Sequence, residues 1–171
     1  MSRNQIIYLL LLIIFLPSCE RNDNNFCHQM GRDSGTLPMQ TIEEISNDSI
    51  DFWLTVSDTV LYYEPIFYQI DDHETFKKLV NCNYDQVDLN FKEYTLLIGY
   101  FFDNSGPLRI IKQKVRLICE YHDQRVYYDV IVQNENVEGG LFLIQHHAII
   151  PKLPEGLKAR NIVRVGHLNL N

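Results

Sequence analysis

The sequence is poor in the short patterns that announce chemistry. It has four cysteines but no C-x-x-C, which removes the usual thioredoxin-like and zinc-ribbon signatures. It has no H-E-x-x-H and no phosphate-binding loop, and no carboxylate pair in a recognisable catalytic pattern. The stretch "GRDSG" (31–35) has its serine displaced from the G-x-S-x-G elbow and lies in no strand-to-helix setting. Lysine and arginine form no cluster anywhere along the chain, which argues against nucleic-acid binding by phosphate neutralisation. Internal repeats, heptads and low-complexity segments are absent too. No cofactor is implied and no metal site is indicated.

A membrane-length hydrophobic run is also missing. The apolar stretch Ile6–Leu16 has eleven residues, whereas a helical span needs about 20. Eleven suits the core of a secretory signal, with Arg3 as its positive start. The run ends Leu16-Pro17-Ser18-Cys19. This resembles the lipobox of bacterial lipoproteins, with Pro17 in place of the usual small residue. The resemblance implies that Cys19 is acylated, for example with palmitate, and becomes the mature N-terminus. Glu20, rather than Asp, follows the cysteine, which points to the outer membrane of a bacterial cell envelope.

Removing residues 1–18 from 171 leaves 153, enough for one domain. The signal holds one basic residue and no acidic one. Fourteen of the 15 basic residues therefore remain against all 22 acidic ones, a net of −8. That acidity suits a water-soluble domain that avoids anionic headgroups. With Cys19 acylated, Cys27, Cys82 and Cys119 remain, so at most one disulfide forms. The expected pair is Cys82 with Cys119, since Cys27 falls in the polar stretch 20–38, read here as a flexible tether.

The domain proper is placed at 39–171. "IDFWLTV" (50–56) and "PIFYQI" (65–70) are rich in aromatic and β-branched residues and read as strands. "DDHETFKKLVNC" reads as the one convincing helix, about 72–81, with Asp71 as cap, Glu74 as capping-box partner and Phe76, Leu79 and Val80 as its apolar stripe. The near-continuous apolar run Tyr94–Phe102 predicts a central strand covered on both faces. "KVRLICEYHDQRVYYDVIVQ" alternates as a hairpin with Asp123-Gln124 as its turn. Val115, Leu117, Cys119, Tyr121, Val126, Tyr128, Val130 and Val132 then share the buried face. Arg116, Glu120, His122, Arg125 and Asp129 share the solvated one. "LFLIQHHAII" and "NIVRVGHL" supply the last strands, joined through "PKLPEGL". The fold class expected is α+β, mostly β: an antiparallel sheet, as a sandwich or open barrel, with one main helix near 72–81.

The order of segments from residue 66 has a likeness of its own: a strand, the helix "DDHETFKKL", the central strand of "VDLNFKEYTLLIG", a long hairpin, then a strand ending "AIIPKLPEGL". Over about 100 residues this resembles uncharacterised lipoproteins of Bacteroidetes-type bacteria and, more distantly, the PrcB C-terminal-like domain linked to stabilising a surface protease. The glycine-rich Gly-Gly-Tyr turn of that domain is replaced by "DNSGPLRI". The resemblance implies a fold, not a chemistry.

Individual residues offer little catalysis. His146 and His147 are adjacent, and neighbours on a strand point to opposite faces, so they are poorly placed to share a metal. His146 falls among Phe142, Ile144, Ala148 and Ile150 and reads as a core histidine. Trp53, Tyr62, Tyr63 and Tyr68 form an aromatic-rich stretch, suited to a core or to a protein or glycan contact, with Trp53, Tyr62 and Tyr63 as the candidate binding residues. The expected function is a membrane-anchored, non-catalytic interaction module of the envelope. The alternative is an enzyme such as a glycan hydrolase, with two carboxylates about 5–10 Å apart in a cleft.

Overall fold

The computed structural model describes residues 26–29, 34–41, 53–54, 65–82, 87–104, 106–120, 123–134 and 140–167. In chain order these give α1 (Phe26–Gln29), β1 (Ser34–Leu37), β2 (Trp53–Leu54), β3 (Ile66–Ile70), α2 (His73–Leu79) and β4 (Val80–Asn81). Five long strands follow: β5 (Tyr94–Asp103), β6 (Leu108–Glu120), β7 (Asp123–Asn134), β8 (Phe142–Pro151) and β9 (Ala159–His167). The protein is α+β and mostly β, with open sheets that do not close into a barrel.

Three layers stack in order. A four-stranded sheet, β1-β6-β7-β9, packs on a three-stranded sheet, β3-β5-β8. The far side of the smaller sheet is covered by α2 and the short pair β2-β4. β5 is therefore the middle of the molecule, buried at every position from Thr95 to Tyr100. Leu97 faces the larger sheet, while Leu96, Ile98 and Tyr100 face α2 and its neighbours. That double cover is why its sequence is apolar without alternation.

The β6–β7 hairpin keeps the expected faces but not the expected register. Glu120 pairs with Asp123 and Cys119 with Gln124, so Asp123 and Gln124 belong to the ladder and not to the turn. Val115 then opposes Tyr128 instead of Val132, a displacement of four residues. An even displacement leaves every side chain on its own face, because the pleat repeats every two residues. Val115, Leu117, Val126, Tyr128, Val130 and Val132 are all buried accordingly. A bulge between Ile110 and Lys112 accommodates the long ladder and leaves Ile111 half exposed. Asp123, freed from the turn, binds Arg125 Nε at 2.6 Å.

Other expectations need correction. β9 runs parallel to β7, because the chain crosses to the opposite sheet as β8 before returning. The helix cap is Asp72, not Asp71: its carboxylate accepts from Thr75 N at 2.7 Å and Thr75 Oγ1 at 2.8 Å. Those bonds, mainly the one from Thr75 N, hold the Asp72 carboxyl below its ordinary pKa. The helix stops at Leu79, where Val80 turns extended and pairs with Leu54.

The largest correction concerns the supposed tether. Phe26 and Cys27 are buried in the main core, and Leu37 on β1 is 2 % exposed. β1 pairs with β6, and Cys119 N donates to Ser34 Oγ at 3.1 Å. The folded domain thus begins by Phe26 rather than at 39. The disulfide joins Cys27 to Cys119, with Cα atoms 6.0 Å apart, and Cys82 is the free thiol. Cys82 packs instead with the cluster around α2, on the opposite side of the smaller sheet from Cys119. A disulfide cannot reach across that layer.

Candidate functional site

Each residue expected to carry a role can now be placed. Trp53 is 54 % exposed on β2; Cys19, Tyr62, Tyr63 and Tyr121 lie outside the described residues. The mount beneath Trp53 is firm. Leu54 is buried, its N–H donates to Gln145 Oε1 at 3.0 Å, and its carbonyl accepts from Tyr100 Oη at 2.8 Å. Burial pushes the Tyr100 phenol pKa up, with the bond to Leu54 opposing it, so Tyr100 stays a neutral donor.

Register extends the patch. Tyr68 pairs with Ile98, and Tyr100 with Gln145, so both tyrosines stand on the face that β2 partly covers. Phe102 pairs with Leu143, which places them at the same end of that face. Tyr68 is 38 % exposed and Leu143 42 % exposed, and the Tyr100 and Phe102 rings lie 6.4 Å apart. At its other end the same face is sealed by Phe76 of α2 against Ile70, Leu96 and Phe91. One sheet face is thus core under the helix and an accessible aromatic and aliphatic surface near Trp53. Sequence reasoning placed Trp53 and Tyr68 in one aromatic-rich stretch but missed Leu143. The signal for their shared face lay in alternation along β3 and β8, which shows which face but not where α2 stops covering it.

The titratable groups serve structure. His146 is 1 % exposed, on the inner face between the sheets, edge-on to Tyr128 at 5.3 Å. Desolvation, with the charge of His147 adding, lowers its pKa to about 4 and keeps the imidazole neutral. Nε2 lies 3.4 Å from Asn161 Nδ2, and Nδ1 has no partner among the described residues. Gly99 makes room for this ring: a Cβ there would lie 2.4 Å from the Ile66 carbonyl and 2.9 Å from His146 Cε1.

Asp129, expected to be solvated, is 2 % exposed. Arg116 grips it through Nε and Nη2, and Arg164 of β9 approaches Oδ1 at 3.4 Å. Burial works against its charge most strongly. The Arg116 hydrogen bond, with the charges of Arg116, Arg164 and Lys114, outweighs that and lowers its pKa. A group so held is a fixed anion, the reverse of a general acid. A second polar knot ties β3, β5 and the 152–159 loop: Asp71 accepts from Thr95 Oγ1 at 2.6 Å and Gln69 Nε2 at 2.8 Å, with Lys152 Nζ 3.3 Å away. Thr95 Oγ1 in turn accepts from Leu153 N, so its hydroxyl is occupied twice. Burial raises the pKa of Cys82 and keeps its thiol protonated. Among the described residues, no group of three His, Cys, Asp or Glu is placed to hold a metal ion.

Comparisons with family models, curated proteins and solved structures return no match.

Proposed function

We propose that the protein is a lipid-anchored domain of the bacterial envelope that binds a partner without turning it over. The observation that carries this reading is Trp53: more than half exposed, beside a residue bonded through both its N–H and its carbonyl. Exposed aromatics on rigid mounts lose little entropy on contact, which is the character of binding hot spots. Tyr68 and Leu143 add exposed aromatic and aliphatic side chains to the Trp53 surface, which suits contact with an envelope protein or a glycan. The disulfide fits an oxidising compartment, and the sequence "LPSC" at Cys19 fits acylation. Kinship with Bacteroidetes-type lipoproteins and the PrcB C-terminal-like domain belongs to the same proposal.

The test is capture of envelope components by the membrane-anchored protein, read by mass spectrometry. Partners retained by the native protein should be lost from the Trp53→Ala, Tyr68→Ala double variant, with the same melting temperature. Hydrolysis of a peptide, glycan or ester by the pure domain, abolished by one carboxylate or histidine substitution, would overturn the reading.

A further inference from the structure

The fold assembles a basic surface that the linear sequence does not contain. On the outer face of the larger sheet, ladder partners line up as Arg116–Tyr127–Arg160, Lys114–Asp129–Ile162 and Lys112–Ile131–Arg164. Arg125, opposite Ile118, stands at the hairpin end. With Arg109, opposite Gln133 beyond the bulge, seven cations share this face with three acids: Glu120, Asp123 and Asp129. Asp129 is shared by Arg116 and Arg164, and Arg125 pairs with Asp123. Lys112, Lys114 and Arg160 have no ion pair among the described residues. Ile118, Tyr127, Ile131 and Ile162 between them belong to neither apolar core cluster. Strands lie about 4.8 Å apart and alternate residues about 6.7 Å apart, so the cations form a grid roughly 10 Å by 13 Å.

We propose that this face docks flat on the anionic headgroups of the bilayer that holds the protein. The inference rests on the lipid-anchor reading. Two observations favour a lipid surface over a soluble polyanion. First, seven residues lead from Cys19 to Phe26, a reach of at most about 25 Å. Second, the first described residues are Phe26–Cys27, which the disulfide holds against Cys119, the neighbour of Ile118 and Glu120 on this sheet. Membrane phosphates are therefore within reach of these cations whenever the anchor is seated. The net charge of the molecule does not forbid it. At physiological salt the Debye length is about 8 Å, so acids on other faces are screened from the headgroups while this face is not. Each cation near such a surface strengthens binding about fivefold.

The test uses unacylated residues 20–171, which include every described element, sedimented with phosphatidylcholine vesicles carrying rising fractions of phosphatidylglycerol. Binding should be absent on phosphatidylcholine alone, grow with the anionic fraction and vanish at about 0.5 M salt, where screening is shorter than about 5 Å. Lys112→Glu with Arg160→Glu should weaken it at least about 20-fold. Lys78→Glu with Lys92→Glu makes the same change of net charge on the α2 side and should alter it by less than about twofold. Equal losses in the two pairs, equal binding to neutral vesicles, or binding to polygalacturonate or DNA with none to vesicles would each overturn the proposal. So would a melting temperature lowered only by the first pair without any vesicle binding, which would mean that the face is covered within the chain itself. Acylation of Cys19 is read separately, by mass spectrometry of the cell-derived protein, so failure of the anchor reading and failure of the docking face are told apart.

Discussion

Cysteine pairing is decided by which side of the central sheet each thiol occupies. Cys119 belongs to the core between the sheets, Cys82 to the core under α2, and only Cys27 shares a cluster with Cys119. The two bonded residues are 92 positions apart. In the chain-entropy account, closing so long a loop contributes about 4–5 kcal/mol. Cys119→Ala should therefore lower unfolding free energy by several kcal/mol, and Cys82→Ala by much less, as read from urea midpoints. Non-reducing peptide mapping should find Cys27 linked to Cys119 and Cys82 alkylated. The sequence misplaces the bond because residues 20–38 are polar on average, and an average hides the buried Phe26, Cys27 and Leu37. Phe26-Cys27 is an apolar pair in a polar stretch, and that local contrast was the available signal.

His146 adds a pH dependence with a definite sign. Its unfolded imidazole titrates near 6.5 and its folded one near 4. Between those values the unfolded chain binds a proton that the folded chain refuses, so stability rises with pH there. The contribution is complete above about pH 6.5 and is lost as the pH falls towards 4, by up to about 3 kcal/mol. Urea midpoints at pH 7.5 and 4.5 should differ accordingly, and His146→Gln should shrink the difference. Asp129, whose pKa is lowered, adds a further loss only in stronger acid, below the ordinary carboxylate range.

Among the elements, β5 and the β6–β7 hairpin were the most legible. Both announce themselves through burial alone, one by an unbroken apolar run and the other by alternation. The hairpin also shows where legibility ends. Alternation fixes the face of each residue modulo two, so turns at 121–122 and at 123–124 predict the same buried set. The choice between them is made by pairing energies across the ladder, such as Arg116 stacked over its partner Tyr127. Asp129 is misjudged for a related reason. It does stand on the polar face, but Arg116 and Arg164 from the strands on either side close over it. No single-strand pattern contains that enclosure, nor the place where α2 stops covering the face near Trp53. The close approach of β3, β5 and β8 at Gly99 makes a prediction at this scale. Gly99→Ala should cost about 1–3 kcal/mol, because the obstructing atom at 2.4 Å is a backbone carbonyl that cannot rotate away. A thermal melt checks it, and no loss would mean that β3 shifts freely against β5.

At the scale of the whole molecule, the two surfaces lie on opposite sides of a stack. The cationic face is the outer side of the larger sheet, and Trp53 lies beyond the outer side of the smaller one. Sheets pack about 10 Å apart, and side-chain layers extend beyond each, so the two surfaces are roughly 20 Å apart. If the cationic face meets the bilayer, Trp53 points away from it, towards whatever shares the envelope space. The single tryptophan of the chain makes this measurable without a label. On vesicles containing phosphatidylglycerol and a headgroup-attached quencher, Trp53 emission should stay close to its value in solution. A Tyr127→Trp, Trp53→Phe variant moves the reporter into the middle of the cationic face and should be strongly quenched on the same vesicles. Quenching of both reporters to the same depth would mean that the molecule tumbles on its tether, and quenching of Trp53 alone would invert the orientation and make the aromatic surface the membrane contact. On the proposal that Cys19 carries a lipid, the short reach from it has a consequence: a domain held within about 25 Å of the bilayer could not search far. A partner-binding surface at Trp53 would then have to face outward when the domain is seated, which is what opposite placement of the two faces would provide.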